Sequence, residues 1–365
     1  MGNTSEHKTV TDLEELVAAL PEEEQHRFHR LFMVSTTVGR LMPPPEMISW
    51  IEQQFGNLDA VKDQRIVNVM NRVTLEGTLF NTLRAGRPMV GQQNGNLASI
   101  LDAGRASDPF ANPLTDTAAD TFGRIRGKHC LTASNAAKYD GLHGLLIFDE
   151  YQPLEFNAEQ LADYLDTARR WFQAAHEEDP AAQYPILLWN CLWKSGASVM
   201  HGHMHMLLGH HPYAKVENLR RSSAQYGQDT GNNYFNDLFL VHRALGLQVK
   251  LGEGVAIVAY LTPIKEREVI LRGDRLDTNL AMALYHVLAC YRNLGVTSFN
   301  VAAYLPPLSP VDNEEWIHFP VFLRVVDRGD LFHNTADIGA MELYAQSVVS
   351  SDPFQLAYDL AVTRI

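Results

Sequence analysis

The sequence is poor in cysteine, in positive charge and in long apolar runs, and each shortage excludes a class of protein. Its three cysteines, Cys130, Cys191 and Cys290, lie far apart and form no CxxC pair. This spacing argues against a disulfide framework or a cysteine-rich zinc site, and it favours a reducing, cytoplasmic location. No apolar run approaches the roughly 20 residues that a membrane span requires, and the first residues lack the apolar core of a signal peptide. We therefore expect no membrane association.

Charge limits the choice of partner. The 365 residues contain 30 Lys and Arg against 43 Asp and Glu, a formal net charge of −13. Nonspecific binding to nucleic acid is excluded by this balance, because such binding depends on neutralising phosphates. An anionic ligand such as a nucleotide would need local hydrogen-bond donors that overcome the overall field. The length and the 46% apolar content are those of a globular protein with one large or two smaller domains.

Three histidines alternate in the most informative stretch of the chain. His201, His203 and His205 follow a Gly/Ser-rich turn at residues 195–198. In an extended strand alternate side chains share one face, so the three imidazoles are expected on the same side. Burying three imidazoles without partners is unfavourable, so packing alone does not explain them. The pattern indicates either a metal site or a nucleophilic imidazole with helper groups.

The patterns on both sides of this stretch predict a repeated unit. Apolar runs at 143–148 and 186–191 predict strands, and an amphipathic helix capped by Asn157 is expected between them over 157–176. A similar order recurs later, with strands at 255–260, 298–304 and 316–325 and a helix at 278–293. The second unit carries no HxHxH. We interpret the chain as a duplication in which only the first half keeps the histidines.

The remaining segments complete the predicted domain organisation. Apolar stripes between residues 10 and 56 predict an N-terminal helical segment, and alternation over 65–80 predicts strands. A loop rich in Gly, Asn, Asp and Pro is expected over 85–113, and a polar connection over 215–236. The boundaries that follow are 1–60 for the helical segment, 61–213 for the first half, 214–245 for the connection and 246–365 for the second half.

The histidine stretch and its surroundings resemble the histidine-triad superfamily, and within it the branch of diadenosine tetraphosphate phosphorylase (an ATP adenylyltransferase) and galactose-1-phosphate uridylyltransferase. Asn190, the turn Ser195-Gly196-Ala197-Ser198 and His201-x-His203 match the branch signature N…SGAS(x)₂HxH almost letter for letter. Four further segments are similar to elements of the branch in the same order: FNTLRAGRP at 80–88, DPFA at 108–111, Asn135 ahead of HGLL at 143–146, and ADIGAME at 336–342.

Three positions depart from that pattern. His205 stands where the transferases have glutamine, as it does in the hydrolases of the superfamily, which bears on whether water reaches a covalent intermediate. The segment 108–111 reads DPFA where the uridylyltransferases carry CPFC as half of a zinc site, so no such zinc is expected. Gly202 stands between the first two histidines, where related enzymes have proline or lysine.

The resemblance implies an α+β, duplicated histidine-triad-like fold: two antiparallel-sheet halves with helices packed on them, plus the N-terminal segment. It implies His203 as the nucleophile, with His205 and His201 beside it. The residues expected to bind substrate are Asn135, Asn190, Ser195, Gly196, Ala197, Ser198, Arg84 and Arg87. No metal ligand and no required cofactor are expected, although a divalent cation can accompany a nucleotide. Nucleotide and phosphate are the expected ligands, and a homodimer is compatible with the branch.

The residue types support the same chemistry directly. A neutral imidazole attacks phosphorus near pH 7 because its ordinary pKa is about 6.5. Its other ring nitrogen then needs an acceptor, most often a backbone carbonyl, to fix the tautomer. Charge on the nonbridging oxygens calls for preorganised donors such as the turn, the two asparagines and His205. Each of these residues also has a structural alternative: Asn135 and Asn190 as turn caps, Ser198 as a turn residue, and Arg84 and Arg87 as solvated side chains.

The function that fits best is transfer of AMP from a dinucleoside polyphosphate or adenylyl sulfate to phosphate, giving ADP through a nucleotidyl-His203 intermediate. Four alternatives remain open at this stage. They are a nucleotidyl hydrolase, a uridylyltransferase acting on a sugar 1-phosphate, a metalloprotein that uses the five histidines between His201 and His211, and a nucleotide-binding module without turnover.

Overall fold

A computed structural model describes residues 8–87, 95–251, 254–309, 316–333 and 338–364. Within these ranges the α-helices are α1 (Leu13–Ala18), α2 (Glu22–Leu31), α3 (Pro45–Phe55), α4 (Leu58–Lys62), α5 (Leu97–Gly104), α6 (Pro113–Asp116), α7 (Ala158–Glu178), α8 (Ala214–Thr230), α9 (Tyr234–Leu245), α10 (Thr278–Asn293), α11 (Ala340–Tyr344) and α12 (Pro353–Val362). The strands are β1 (Phe32–Arg40), β2 (Asp63–Asn71), β3 (Gly77–Phe80), β4 (Cys130–Ser134), β5 (Leu142–Phe148), β6 (Tyr184–Cys191), β7 (His203–Gly209), β8 (Gln248–Lys250), β9 (Ala256–Ala259), β10 (Val269–Gly273), β11 (Phe299–Tyr304), β12 (Val321–Asp327) and β13 (Ser347–Val349).

A nine-stranded sheet runs through both halves in the order β4-β5-β7-β6-β11-β12-β10-β9-β8. Every neighbouring pair in it is antiparallel. Strands β4 to β7 come from the first half and β8 to β12 from the second, and the two sets meet where Asn190 on β6 lies opposite Asn300 on β11. The α+β class and the two antiparallel sets of strands are as expected from the sequence.

Helix α7 covers the face of β7 that points away from the histidines. A capping box starts the helix: the Asn157 side chain accepts from the backbone N–H of Gln160, and the Gln160 side chain accepts from the N–H of Asn157. Trp171 of this helix lies so close to Gly144 on β5 that a Cβ there would come within 2.6 Å of the indole ring. Since Gly144 pairs with Met206, α7 packs on the methionine face, and the histidines occupy the opposite one.

The N-terminal segment is not wholly helical. Residues 32–40 form strand β1, which pairs with β2 over nine residues in antiparallel register. The run from Phe32 to Val38 is rich in β-branched residues, and this preference overrides the helical pattern seen on either side. Strands β1, β2, β3 and β13 form a separate four-stranded sheet, in which β13 pairs with β3 in parallel. The strands expected over 65–80 are confirmed as β2 and β3.

Three other segments differ from the sequence-based expectation. The expected connection contains two helices, α8 and α9, which bury Val216, Leu219 and Tyr226 on one side of α8. The expected loop over 85–113 contains α5, and the last strand of the second half begins at Val321, five residues later than expected. Polar composition misled for α8, because a helix that buries only one narrow stripe has few apolar residues. None of the described helices has the length and apolar content to cross a membrane.

An ionic cluster, which we call the Arg324 cluster, consists of the buried Arg324 and Glu268 of the second half and the partly buried Glu76 between β2 and β3. Arg324 Nε donates to Glu268 Oε1 at 2.6 Å, and its Nη1 group donates to Glu76. The cross-strand pairs His205–Leu188, Leu188–Ala302 and Ala302–Arg324 place Arg324 in one row with His205, on the same face of the sheet. Where β7 presents His205, β12 presents Arg324 of this cluster.

Candidate active site

His203 is held with one ring nitrogen committed and the other available. Its Nδ1 atom lies 2.8 Å from the backbone carbonyl oxygen of His201. A carbonyl only accepts, so Nδ1 carries the ring proton and Nε2 keeps its lone pair. The side chain is only 4% exposed. The carbonyl acceptor expected for a nucleophilic imidazole is therefore present at His203.

His201 is bound by acceptors at both ring nitrogens. Its Nδ1 lies 2.7 Å from Asp108 Oδ2, and its Nε2 lies 2.7 Å from the backbone oxygen of Phe148. Two acceptors require two N–H donors, so the hydrogen bonds select the imidazolium form, paired with the buried Asp108 carboxylate. This ion pair stands at the DPFA segment, where the sequence had indicated the loss of sulfur ligands. His201 thus ties the start of the histidine strand to residues 108–111.

His205 has the opposite tautomer from His203, and His143 imposes it. The backbone N–H of Tyr139 donates to His143 Nδ1 at 3.0 Å, so the proton of a neutral His143 is at Nε2. That Nε2 lies 3.1 Å from Nδ1 of His205. His205 Nδ1 is consequently the acceptor, and its own proton is at Nε2. Two residues apart on one strand, His203 offers a lone pair and His205 offers an N–H donor.

Burial keeps these rings neutral. Desolvation lowers the pKa of His203, and the positive charge of His201 adds to the lowering while the hydrogen bond to the His201 carbonyl opposes it. Desolvation also lowers the pKa of His205 to about 3, with smaller contributions from His203 and His143. For His143, desolvation and then the charge of Lys138 lower the pKa to about 4. At neutral pH all three are uncharged imidazoles.

Aromatic rings enclose the histidines. Phe110 meets His203 edge-on, with ring centroids 5.3 Å apart, and it meets His201 at 5.9 Å. Gly202 lies under the ring of Phe148, and a Cβ at Gly202 would come within 2.3 Å of Phe148 Cδ2. This contact explains the third departure from the related enzymes, because neither proline nor lysine fits at residue 202 against Phe148.

The turn that precedes the histidines uses most of its own donors. Leu192 adopts a left-handed conformation, with φ of 64°, and its carbonyl accepts from the N–H and the hydroxyl of Ser195 and from the N–H of Ala197. The N–H of Gly196, itself at φ 97°, donates to the carbonyl of Trp193. The donors expected from Ser195, Gly196 and Ala197 are therefore engaged within the turn. Ser198 is exposed, and in the described part of the chain its hydroxyl has no partner.

The two asparagines have different surroundings. Asn135 Oδ1 accepts from the N–H of Ala137, and its Nδ2 lies 3.2 and 3.4 Å from the two ring nitrogens of His143, beside the ring. It thus closes the loop that presents His143, and its role in binding substrate stays a prediction. Asn190 follows Trp189, the last β6 residue paired with β7, and it lies on the same face of the sheet as Leu188, which is opposite His205.

Arg84 and Arg87 lie in a cavity of about 500 Å³, which we call the arginine cavity. Lys194 and Arg328, which flank the 195–198 turn in sequence and by contact, also line it. Glu342, from the C-terminal motif, is a lining residue as well, and its carboxylate accepts from the N–H of Gly339 at the start of α11. Pro88 of the FNTLRAGRP motif and Ala336 and Asp337 of the C-terminal motif lie outside the described residues.

The histidines are not arranged as a metal site. Among the described residues no three His, Cys, Asp or Glu side chains are placed to hold a metal ion together. His210 pairs instead with Asp179 at 2.7 Å on the surface, and the three cysteines are free and buried. The prediction that no resident metal is needed remains to be tested.

Sequence reasoning missed four members of this arrangement. His143 and Asp108 had been noted only as parts of similar motifs. His143 contacts His205, which lies 62 positions away in the sequence, and Asp108 contacts His201, which lies 93 positions away. Asn300 and Arg328 carried no motif at all. The one usable signal was that Asn190 and Asn300 occupy corresponding strands of the two predicted halves.

Comparisons with known proteins bear on the fold. The sequence matches no protein-family model and no curated protein. Its structure is similar to an ADP-glucose phosphorylase from Arabidopsis thaliana with bound ADP-glucose, with a TM-score of 0.63 and 14% identity over 81% of this chain and 98% of that one. It is also similar to a galactose-1-phosphate-uridylyltransferase-like protein from A. thaliana (TM-score 0.58, 15% identity, 71% and 93% covered) and to a uridylyltransferase (TM-score 0.55, 13% identity, 81% and 97% covered).

Proposed function

Starting from a fold shared with the uridylyltransferase-like proteins of the histidine-triad superfamily, we propose that the chain is a nucleotidyltransferase that acts through a covalent nucleotidyl-His203 intermediate. The observation that carries the proposal is the pair of opposite tautomers on β7. The Nε2 atom of the buried His203 carries a free lone pair, and His205, two residues away, supplies an N–H donor. A nucleophile next to a neutral donor suits attack at a phosphorus whose oxygens gain charge.

The reaction has two balanced steps. His203 Nε2 attacks the α-phosphorus of the donor; a P–N bond forms, the P–O bond to the leaving group breaks, and the leaving group departs with the electron pair as a phosphate or sulfate anion. An oxygen of the acceptor then attacks the same phosphorus, and the P–N bond returns its electrons to Nε2. The Nδ1–H bond to the His201 carbonyl persists throughout and stabilises the positive charge that the ring acquires.

The proposed donor is an adenylyl compound, and the proposed acceptor is inorganic phosphate, which together give ADP. The similar fold of a phosphorylase with bound ADP-glucose supports this choice and adds nucleotide sugars to dinucleoside polyphosphates and adenylyl sulfate as donors to test. The arginine cavity supplies local positive charge in a protein of net charge −13. We assign Arg84 and Arg87 there to the leaving group or to the incoming phosphate.

The first experiment traps the intermediate. The protein is incubated without phosphate with ADP-glucose, diadenosine tetraphosphate or adenylyl sulfate, each labelled in the adenylyl phosphate, and is then quenched in base. We expect an acid-labile, base-stable label on the wild type and none on His203→Ala. His210→Ala, which changes a surface histidine, is the matched control and should label normally. Absence of label from every donor would contradict the covalent mechanism.

A chase of the labelled protein separates transferase from hydrolase. With phosphate in excess, the label should leave the protein as ADP. Without phosphate, the rate at which AMP is released measures how readily water reaches the intermediate. This rate matters because His205 stands where the transferases have glutamine. Release only as AMP would favour the hydrolase alternative. Arg84→Gln and Arg87→Gln should each raise the KM for phosphate about tenfold, corresponding to loss of one charge-assisted contact.

A further inference from the structure

A chain of three polar side chains crosses the junction between the two halves of the large sheet. Arg328 Nη1 donates to Asn300 Oδ1 at 2.5 Å. Asn300 Nδ2 donates to Asn190 Oδ1 at 2.7 Å and to the carbonyl of Ser195 at 3.1 Å. Asn300 and Asn190 lie directly opposite each other on β11 and β6. The second half is therefore in direct polar contact with Asn190, a residue of the strand next to β7.

The Arg328 guanidinium and the Ser195 carbonyl fix the orientation of both asparagine side-chain amides in this series. A guanidinium only donates, so the Asn300 atom that faces Arg328 is its oxygen. A backbone carbonyl only accepts, so the Asn300 atom that faces Ser195 is its nitrogen. Both constraints give the same orientation of the Asn300 amide. Asn190 must then present its oxygen to Asn300, and its Nδ2 group is turned the other way.

That Nδ2 group is on the histidine side of the sheet. Leu188, two residues before Asn190 on β6, is opposite His205, and alternate residues share a face. Asn190 is half-buried, and in the described part of the chain nothing accepts a hydrogen bond from its Nδ2. An uncharged donor without a partner on the histidine face is suited to an anionic ligand.

We propose that Arg328 and Asn300 are positioning residues that lock the Asn190 amide with its N–H₂ group toward the reacting phosphate. The second half, which lacks the histidines, would thus set the polarity of a donor in the first half. The inference rests on the proposed function only in taking the anion to be a phosphate of the nucleotide. Without the lock the Asn190 amide would present oxygen or nitrogen with similar ease, and an oxygen there repels the anion.

The sharpest test is Asn300→Asp. The aspartate keeps its contact with Arg328 and loses the hydrogen bond to the Ser195 carbonyl. Its second oxygen faces Asn190, so the Asn190 amide turns over and presents its own oxygen to the histidine side. We expect kcat/KM for AMP transfer from ADP-glucose to phosphate to fall about 100-fold or more, the range for losing one preorganised donor. Asn236→Asp is the matched control, because Asn236 Oδ1 also accepts from an arginine, Arg272, at 2.7 Å; it should stay within about twofold of wild type.

A double variant separates positioning from general damage. Asn190→Ala should lose about as much activity as Asn300→Asp, and combining the two should cost no more than about threefold beyond Asn190→Ala alone. Arg328→Met should lose only about tenfold, since the Ser195 carbonyl still selects the Asn300 orientation. Losses that multiply in the double variant, or full activity in Asn300→Asp, would overturn the inference.

A measurement without substrate keeps the two proposals apart. In the wild type the side-chain amide protons of Asn300, which face two acceptors, should exchange slowly with solvent by NMR, and those of Asn190 should exchange rapidly. In Asn300→Asp the Asn190 amide protons should become slow. Equal exchange at both asparagines would overturn the inference even in an active enzyme. The expected exchange pattern in a protein that transfers no nucleotide would leave the positioning intact and contradict the proposed function.

Discussion

The Nε2 atom of His143 lies 3.1 Å from Nδ1 of His205. Because the backbone N–H of Tyr139 donates to the other ring nitrogen of His143, Nε2 is the donor in this contact and His205 Nδ1 is the acceptor. The proton position on His205 is thus set from the backbone, through a second imidazole. Replacing His143 should therefore affect the donor function of His205 rather than the nucleophile.

His143→Gln and His143→Leu test this direction. Glutamine can still donate to His205 Nδ1 through its amide, whereas leucine cannot. We expect His143→Leu to lose about 100-fold in the rate of labelling at pH 7 and His143→Gln to lose less than about tenfold. Rapid-quench measurement of the label on His203 gives both rates. Equal rates for the two variants would show that His143 serves only to fill space.

The pH dependence of labelling should be unusually flat. An exposed imidazole loses nucleophilicity as the pH falls through about 6.5, but burial lowers the pKa of His203 and lowers the pKa of His205 to about 3. The neutral, reactive form therefore persists to lower pH. We expect the labelling rate to change less than about twofold between pH 8 and pH 5.5; a decline centred on pH 6.5 would indicate a solvated nucleophile.

Stability, in contrast, should fall with acid over the same interval. Burial lowers the pKa of His143 and of His242 to about 4 and that of His205 to about 3, while in the unfolded chain all three titrate near 6.5. The unfolded state therefore binds more protons below pH 6.5, so the stability from these groups is complete above that pH and declines as the pH drops toward 4. Urea unfolding between pH 7.5 and pH 5 should show a falling midpoint. His242→Gln, outside the site, should reduce the slope.

Two aspartate–histidine pairs of equal length should differ in their contribution to stability. Asp108–His201 and Asp179–His210 both measure 2.7 Å, but the first is buried and the second is exposed. Asp108→Ala removes the acceptor of the buried Nδ1–H of His201 and should lower the free energy of unfolding by about 1–3 kcal/mol, the cost of a buried polar group without a partner. Asp179→Ala should have a much smaller effect, because solvent screens the exposed pair. Denaturant titration of both variants measures the contrast, and equal losses would show that the buried pair contributes no more to stability than the exposed one.

Gly202→Ala should destabilise the protein through Phe148. The added methyl group would overlap the Phe148 ring, and overpacking of this kind costs about 1–3 kcal/mol. Gly141→Ala is the control, because a Cβ there meets no atom within 4 Å. The double variant Gly202→Ala with Phe148→Leu should regain part of the lost stability if the ring is the obstacle, which thermal unfolding of the three proteins would show.

The local patterns of the sequence predicted more of this fold than its long-range contacts did. Helix α10 was predicted at its observed boundaries, and the Asn157 cap of α7 was correctly placed, because both depend on residues within one or two helical turns. Strand β1 was missed, since its pairing with β2 is decided by tertiary contact. Strand β13 has only three residues and pairs with β3 from the far end of the chain, so no local signal marks it.

The site divides in the same way. The alternation of His203 and His205 sufficed to place them on one side of a strand. For His201 the expectation was wrong, because β7 begins at His203 and His201 lies in the bend before it. The pattern could not show that His201 is charged or that His203 and His205 hold their protons on opposite nitrogens, because Asp108, Phe148 and His143 decide these states from elsewhere in the chain. The SGAS motif likewise could not predict that three donors of the turn are already hydrogen-bonded to the Leu192 carbonyl.

The Arg324 cluster constrains how this protein can evolve. Arg324 occupies the row of the sheet that holds His205 in the first half, and it is bound to Glu268 and Glu76. Exchanging Arg324 alone would leave the fully buried Glu268 carboxylate without its cationic partner, a loss of about 3–5 kcal/mol out of the roughly 5–15 kcal/mol that stabilise a typical folded protein. A histidine at position 324 would therefore need a compensating change at Glu268. The row that carries His205 in the first half is thus difficult to convert in the second half by a single mutation.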